Sequence, residues 1–133
     1  MPVLRSTIAI VEDDASFRRA VQRLLRVSGF EAHTFASAED FLNSALPASH
    51  ACLILDLNLP GMSGFELVDH LCASAPPRPV IFITAQDEES LRERASLIPY
   101  AAYLRKPFVG AVLLEAVRSL LNQSRPNGNM PLA

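Results

Sequence analysis

Five short apolar runs punctuate the chain, and each is followed by a stretch with helical spacing of apolar residues. The runs are 8–11 (IAIV), 32–35 (AHTF), 52–55 (CLIL), 80–83 (VIFI) and 101–104 (AAYL). The first, third and fourth are apolar throughout, the pattern of central parallel strands covered on both faces. The second is mixed, as an edge strand is. Between the runs, Phe17, Ala20, Val21, Leu24 and Leu25 recur at helical spacing, with Arg18, Arg19, Gln22, Arg23 and Arg26 on the other face. Gly29 is expected to end that first helix. Ser37 with Asp40, and Ser63 with Glu66, are N-terminal capping signals for a second and a third helix. Pro76 and Pro77 should close the third. A fourth helix is expected over 87–98, stopping before Pro99, and a fifth over 109–121.

Strict alternation of strand and helix implies right-handed crossovers and helices on both sides of a parallel sheet. The expected fold is therefore α/β: a doubly wound five-stranded parallel sheet with five helices. Its ligand crevice belongs at the carboxyl ends of the strands, at the topological switch point. Residues 1–5 form an N-terminal extension, 6–121 the domain, and 122–133 a polar, Pro- and Gly-containing flexible tail or linker.

Composition narrows the function. A chain of 133 residues, half of them apolar, has room for one ordinary domain. Its formal net charge of −2 gives no electrostatic reason to expect nucleic acid or an acidic membrane surface. No segment reads as a signal peptide or membrane span. Cys52 and Cys72 lack metal-type spacing and read as buried free thiols in a reducing compartment, the cytoplasm. His33, His50 and His70 are scattered without ligand spacing and read as structural or exposed.

The chemistry sits where the strands end. The first run leads into Glu12-Asp13-Asp14, the third into Asp56, the fourth into Thr84, and the fifth delivers Lys106 just before Pro107. A like-charge carboxylate pair at ~4 Å costs roughly 4 kcal/mol at an effective dielectric of about 20. Such acids stay ionised together only around a cation. Their hard oxygens suit Mg²⁺, and the cluster contains neither His nor Cys, which argues against zinc. With Mg²⁺ and Lys106 in place, the Asp56 carboxylate can attack phosphorus and form an acyl phosphate. Taken singly, these residues have plainer uses: Asp13 or Asp14 as a helix cap, Asp56 as a turn former, Thr84 as a strand residue, Lys106 as a solvated charge. Asp14 can cap while Asp13 binds metal.

The order VEDD (11–14), DLNLPGMSG (56–64), ITA (83–85) and YLRKPF (103–108) resembles the receiver domains of two-component response regulators, in particular those that precede a DNA-binding output domain. The resemblance spans about residues 6–121. It implies a flavodoxin-like strand order 2-1-3-4-5, with Asp56 as phosphoacceptor. It also implies Asp13 as the direct Mg²⁺ ligand, Glu12 as its water-mediated partner and the Asn58 backbone carbonyl as a further ligand. By the same resemblance Thr84 is the switch hydroxyl, Lys106 the phosphate-binding lysine and Tyr103 the switch aromatic, and Lys106-Pro107 is cis. Arg18, where the family often has a basic residue, sets the register of the acids. The sequence departs from the pattern at Ile98-Pro99-Tyr100, where the family commonly has Gly-Ala, and in carrying Glu12 for the commoner Asp.

The implied function is a phosphorylation-activated signalling switch in a phosphorelay, not a turnover enzyme. Its donor would be a histidine kinase or phosphotransfer protein, with the arginine face of the first helix as a candidate docking surface. The surplus apolar residues of the fifth helix suggest a homodimer through the fourth helix, fifth strand and fifth helix, or simply a wide core face. Three alternatives are weighed beside this. An aspartyl-nucleophile phosphatase needs an acid two residues after Asp56, where Asn58 stands. A mononucleotide binder needs a Gly/Ser/Thr-rich loop where Glu12-Asp13-Asp14 stands. A receiver that no longer takes phosphate would not need the complete acid, Thr and Lys set.

Overall fold

The computed structural model of the chain describes residues 7–44, 50–73, 77–85 and 88–124. Strands and helices alternate as β1 (Thr7–Val11), α1 (Ala15–Val27), β2 (Glu31–Phe35), α2 (Ala38–Leu42), β3 (Cys52–Asp56), α3 (Gly64–Cys72), β4 (Val80–Thr84), α4 (Glu89–Ser96), β5 (Ala101–Arg105) and α5 (Gly110–Ser124). All pairings are parallel and the sheet order is β2-β1-β3-β4-β5. The expected order is thus the observed one, with the mixed second run at an edge. The chain reverses direction across the sheet between β1 and β3, so the loops after those strands flank one crevice.

Alternation along the strands divides the core into two layers. Ile8, Ile10, Ile54, Ile81 and Ile83 face α1 and α5, where they meet Val21, Leu25, Leu113 and Val117. Ala9, Val11, Leu53, Leu55 and Phe82 face the other side and pack with Phe41, Phe65, Leu67, Val68 and Ala95. Both faces of the central strands are covered, which is why their sequences are continuously apolar.

The capping signals act as read. Asp14 caps α1 by accepting from the backbone N–H groups of Ser16 and Phe17, and Ser37 caps α2 through Asp40 N–H. Ser63 and Glu66 form a reciprocal capping box on α3. Gly29 follows the end of α1 with φ of 97°, a left-handed conformation that costs glycine nothing.

Several boundaries differ from expectation. α4 is shorter, Glu89–Ser96. Glu88 supplies no side-chain cap and only Ala95 of the helix is buried, so little holds its ends; Asp87, the expected start, lies outside the described residues. α3 stops at Cys72, ahead of the Pro pair, and Pro76 is likewise outside them. Cys72 is exposed, not buried as expected. It is the last residue of its helix, so no further turn covers the thiol. α5 continues through Ser124, beyond the expected border at 121, because neither Gly nor Pro interrupts the run there. The extension 1–5 and tail residues 125–133 are outside the described residues.

Tyr100 takes the left-handed conformation, with φ of 56°, at the site of the departure Ile98-Pro99-Tyr100. Its carbonyl accepts from Val80 N–H at 2.9 Å, opening the pairing of β4 with β5. A left-handed L-residue costs about 1–2 kcal/mol, of which glycine's greater unfolded-state freedom returns roughly 0.5–1. Tyr100→Gly is therefore expected to raise stability by about 0.5–1 kcal/mol, as a higher midpoint in urea unfolding.

Candidate functional site

The crevice at the carboxyl ends of β1, β3, β4 and β5 gathers side chains from four separated segments. Glu12 follows β1 directly and is 1% exposed, while Asp56 ends β3 and is 6% exposed. Asp13 stands beside them in the open. Carboxylate oxygens of Glu12, Asp13 and Asp56 all lie within 4.8 Å of one another. Thr84, the last residue of β4, is fully buried. Lys106 follows β5, and its backbone N–H donates to Thr84 O at 2.8 Å. The Lys106-Pro107 peptide is cis, as expected.

Lys106 ties the acids together. Its Nζ donates to Glu12 Oε1 at 2.8 Å and to Asp56 Oδ2 at 3.4 Å. The ammonium also lies 4.3 Å from the centre of the Phe17 ring, which shields it on one side. Each acid has further donors. Asp56 Oδ1 accepts from Asn58 N–H at 2.8 Å, and Glu12 Oε2 from Asp14 N–H at 3.1 Å. Arg18 Nη1 donates to the Glu12 carbonyl at 2.7 Å, so the basic residue that set the register holds the first acid in place.

One ammonium cannot compensate three carboxylates. Burial pushes the Glu12 carboxyl up to about 7, and the neighbouring Asp56 charge adds to the rise against the lowering influence of Lys106. For Lys106, burial alone would depress the amine, but the hydrogen bond to Glu12 and the charges of Asp56 and Glu12 outweigh it and the net shift is upward. Three hard oxygen donors with no nitrogen or sulfur among them form a set fit for a small divalent cation.

The unusual proton on Glu12 carries a stability consequence. Its folded value lies above the ordinary 4.5, so its contribution is fully present below about pH 4.5 and lost as pH rises through about 7. In EDTA, unfolding free energy should fall by about 2 kcal/mol more between pH 5 and pH 8 in the parent protein than in Glu12→Gln. Urea unfolding of the pair at both pH values reads this directly. Added Mg²⁺ is expected to remove the decline.

The structure brings together every residue the sequence nominated for the crevice: Glu12, Asp13, Asp56, Asn58, Thr84 and Lys106. Tyr103 lies apart, half-buried in β5 and packed with the core layer of Phe82, with the Arg92 guanidinium 5.7 Å from its ring centre. Two contacts escaped sequence reading. The Asn58 side chain, treated as secondary, reaches Thr84 Oγ1 with Nδ2 at 3.4 Å. His33 and His50, read as scattered, meet Nδ1 to Nε2 at 3.0 Å, and the His50 ring also packs against those of Phe35 and Phe41. The fold brings His33 on β2 against His50, which stands in the loop ahead of β3, and spacing along the chain could not reveal this. His70 is exposed.

A parallel sheet ordered 2-1-3-4-5, with clustered acids facing a lysine at the switch point, defines a doubly wound α/β fold with an acidic pocket. Residues 8–118 match the response regulator receiver domain, and the chain belongs to that family. It is 36% identical over 121 residues to nodulation protein W of Bradyrhizobium diazoefficiens, an alignment spanning 91% of this chain and 53% of that protein. Its identity to transcriptional regulatory protein FixJ of Azorhizobium caulinodans is 32%, spanning 91% and 57%. The chain thus spans little more than half the length of these relatives. The crystal structure of a response regulator receiver protein from Burkholderia phymatum superposes with a TM-score of 0.77 at 40% identity, covering 92% of this chain and 99% of that one. Membership in the family makes this a module of two-component signalling. Among the described residues no helix is long and apolar enough to cross a membrane.

Proposed function

We propose that the chain is a phosphorylation-activated switch that accepts a phosphoryl group on Asp56 from the phosphohistidine of a histidine kinase or phosphotransfer protein. The observation that supports this most is the convergence of three carboxylates within 4.8 Å, two of them bound to one lysine ammonium. That arrangement is costly in a purely structural role and suits an incoming dianion once a cation is present.

In this reading Glu12, Asp13, Asp56 and the Asn58 backbone carbonyl would hold Mg²⁺. The ion supplies charge neutralisation for the phosphoryl oxygens. An Asp56 carboxylate oxygen attacks phosphorus, the P–O bond forms, the P–N bond to the donor imidazole breaks, and the ring leaves with its proton. Asp56 Oδ2 is the oxygen beside Lys106, whose ammonium then turns from the carboxylates toward the phosphoryl group. The Thr84 hydroxyl, lent to Asn58 beforehand, donates to a phosphoryl oxygen. Tyr103 settles inward behind Thr84, and the face made by α4, β5 and α5 is reshaped by a shift between two populated arrangements.

In this reading the chain is a phosphoacceptor whose only chemistry is Mg²⁺-dependent phosphorylation of its own Asp56 and later hydrolysis of that acyl phosphate. Asn58 has no carboxylic proton for a phosphomonoester leaving group. A second copy docking on α4, β5 and α5 is the proposed homodimer, and Leu97, 83% exposed at the end of α4, supplies apolar surface there. Like the transcriptional regulators among its relatives, it is proposed to act in the cytoplasm on transcription, through a DNA-binding region or partner and not through these residues. The test is labelling with acetyl phosphate. Base- and hydroxylamine-labile phosphate should be incorporated with Mg²⁺ and none with excess EDTA; equal incorporation in both would overturn the metal assignment.

A further inference from the structure

The segment after Asp56 is an arch of seven residues, 57–63, ending in the α3 capping box. Its two feet stand together. A methyl at Gly64 would meet Asp56 O at 2.9 Å, so α3 begins against the carbonyl of the phosphoacceptor itself. The near side is fastened by Asn58, whose N–H holds Asp56 Oδ1 at 2.8 Å and whose amide reaches Thr84. Leu57 and Leu59 are buried beneath the arch.

The far side is fastened from another element. Glu39, on the short helix α2, accepts from Met62 N–H through Oε2 at 3.0 Å. That same oxygen fills the space a side chain at position 61 would need: a methyl there would lie 2.8 Å from it. Gly61 also has φ of 76°. Gly61 and Glu39 are therefore matched: the left-handed turn favours glycine, and a side chain there would displace the Glu39 carboxylate from its present position. The bond bridges 23 positions of sequence and is solvent-exposed, so its worth to global stability is small. What it adds is a polar tether: among the described hydrogen bonds, the other fastenings of the arch lie near Asp56 and at the cap, while Leu57, Leu59 and Met62 pack on the core below.

We propose that Glu39 is a positioning residue for the cation site, acting through the Gly61-Met62 peptide to hold the arch that presents the Asn58 carbonyl. The inference rests on the metal set proposed above. Water can satisfy Met62 N–H when Glu39 is lost, but water does not tie the arch to α2.

Calorimetric titration of the unphosphorylated protein with MgCl₂ tests it, with thermal unfolding in EDTA as the companion measurement. Outer-shell partners of metal ligands are worth 10–100-fold in affinity, and a tether one step further out belongs near the lower bound. Glu39→Ala is expected to weaken Mg²⁺ binding by about tenfold, and Glu39→Gln, which keeps an acceptor oxygen, by less. Both should unfold within a few degrees of the parent. Gly61→Ala, which evicts the carboxylate, should weaken binding to a similar degree. Parent-like Mg²⁺ affinity in Glu39→Ala, with or without a lower melting temperature, overturns the positioning role. Failure of the parent itself to bind Mg²⁺ instead overturns the metal set, and the inference with it.

Discussion

Asp56→Asn is expected to abolish phosphorylation by acetyl phosphate or a kinase while leaving a folded protein. The amide has no anionic oxygen to attack phosphorus, and none of the other acids occupies its place at the end of β3. Asn retains an acceptor for Asn58 N–H, so the loop geometry survives. The substitution also removes one of the charges that push Glu12 upward, so its carboxyl should return toward the ordinary value. Stability in EDTA at pH 8 should then equal or exceed that of the parent. Radiolabel incorporation and urea unfolding together check this expectation; a destabilised variant that still took label would contradict it on both counts.

Lys106→Met has the largest expected effect on stability and the second largest on activity. Nζ is the shared donor to Glu12 Oε1 and Asp56 Oδ2, and no other basic group among the described hydrogen bonds reaches either carboxylate. Removing one partner of a buried ion pair costs about 3–5 kcal/mol, reduced here because Glu12 can take up a proton. A loss of about 2–3 kcal/mol in EDTA at pH 8 is therefore expected. Without the ammonium, the Glu12 carboxyl rises further, so the folded state gains its protonated form at low pH and loses that advantage as pH rises. The deficit against the parent must accordingly be smaller at pH 5 than at pH 8. Phosphorylation should fall about 10²–10³-fold, the usual cost of deleting one preorganised donor to developing charge. Urea unfolding at the two pH values and initial rates of labelling measure the two effects separately.

The sequence made some of this legible for simple reasons. Central strands are buried on both faces, so their runs are continuously apolar and the alternation of elements could be read without ambiguity. Caps announce themselves locally, and Asp14, Ser37 and Ser63 each bond within their own first helical turn. The crevice residues were legible because a parallel sheet sends every strand end to the same side. Helix ends were less so where burial is weak: α4 has one buried residue, and α5 continues past its last core leucine on polar positions. Cys72 was misread because a helical pattern does not say where the helix stops. Contacts across the fold were invisible altogether. Nothing in the spacing of His33 and His50, or of Glu39 and Gly61, signals that the fold sets the one pair side by side and a left-handed turn the other.

Borohydride reduction of the freshly phosphorylated protein converts an aspartyl phosphate to homoserine at the modified position, which peptide mass spectrometry then locates. Asp56 as the acceptor predicts a single homoserine, in the peptide carrying residue 56, and only when Mg²⁺ was present during labelling. Homoserine at Asp13 or Asp14, or phosphate recovered on a serine, threonine or histidine, would contradict the central claim.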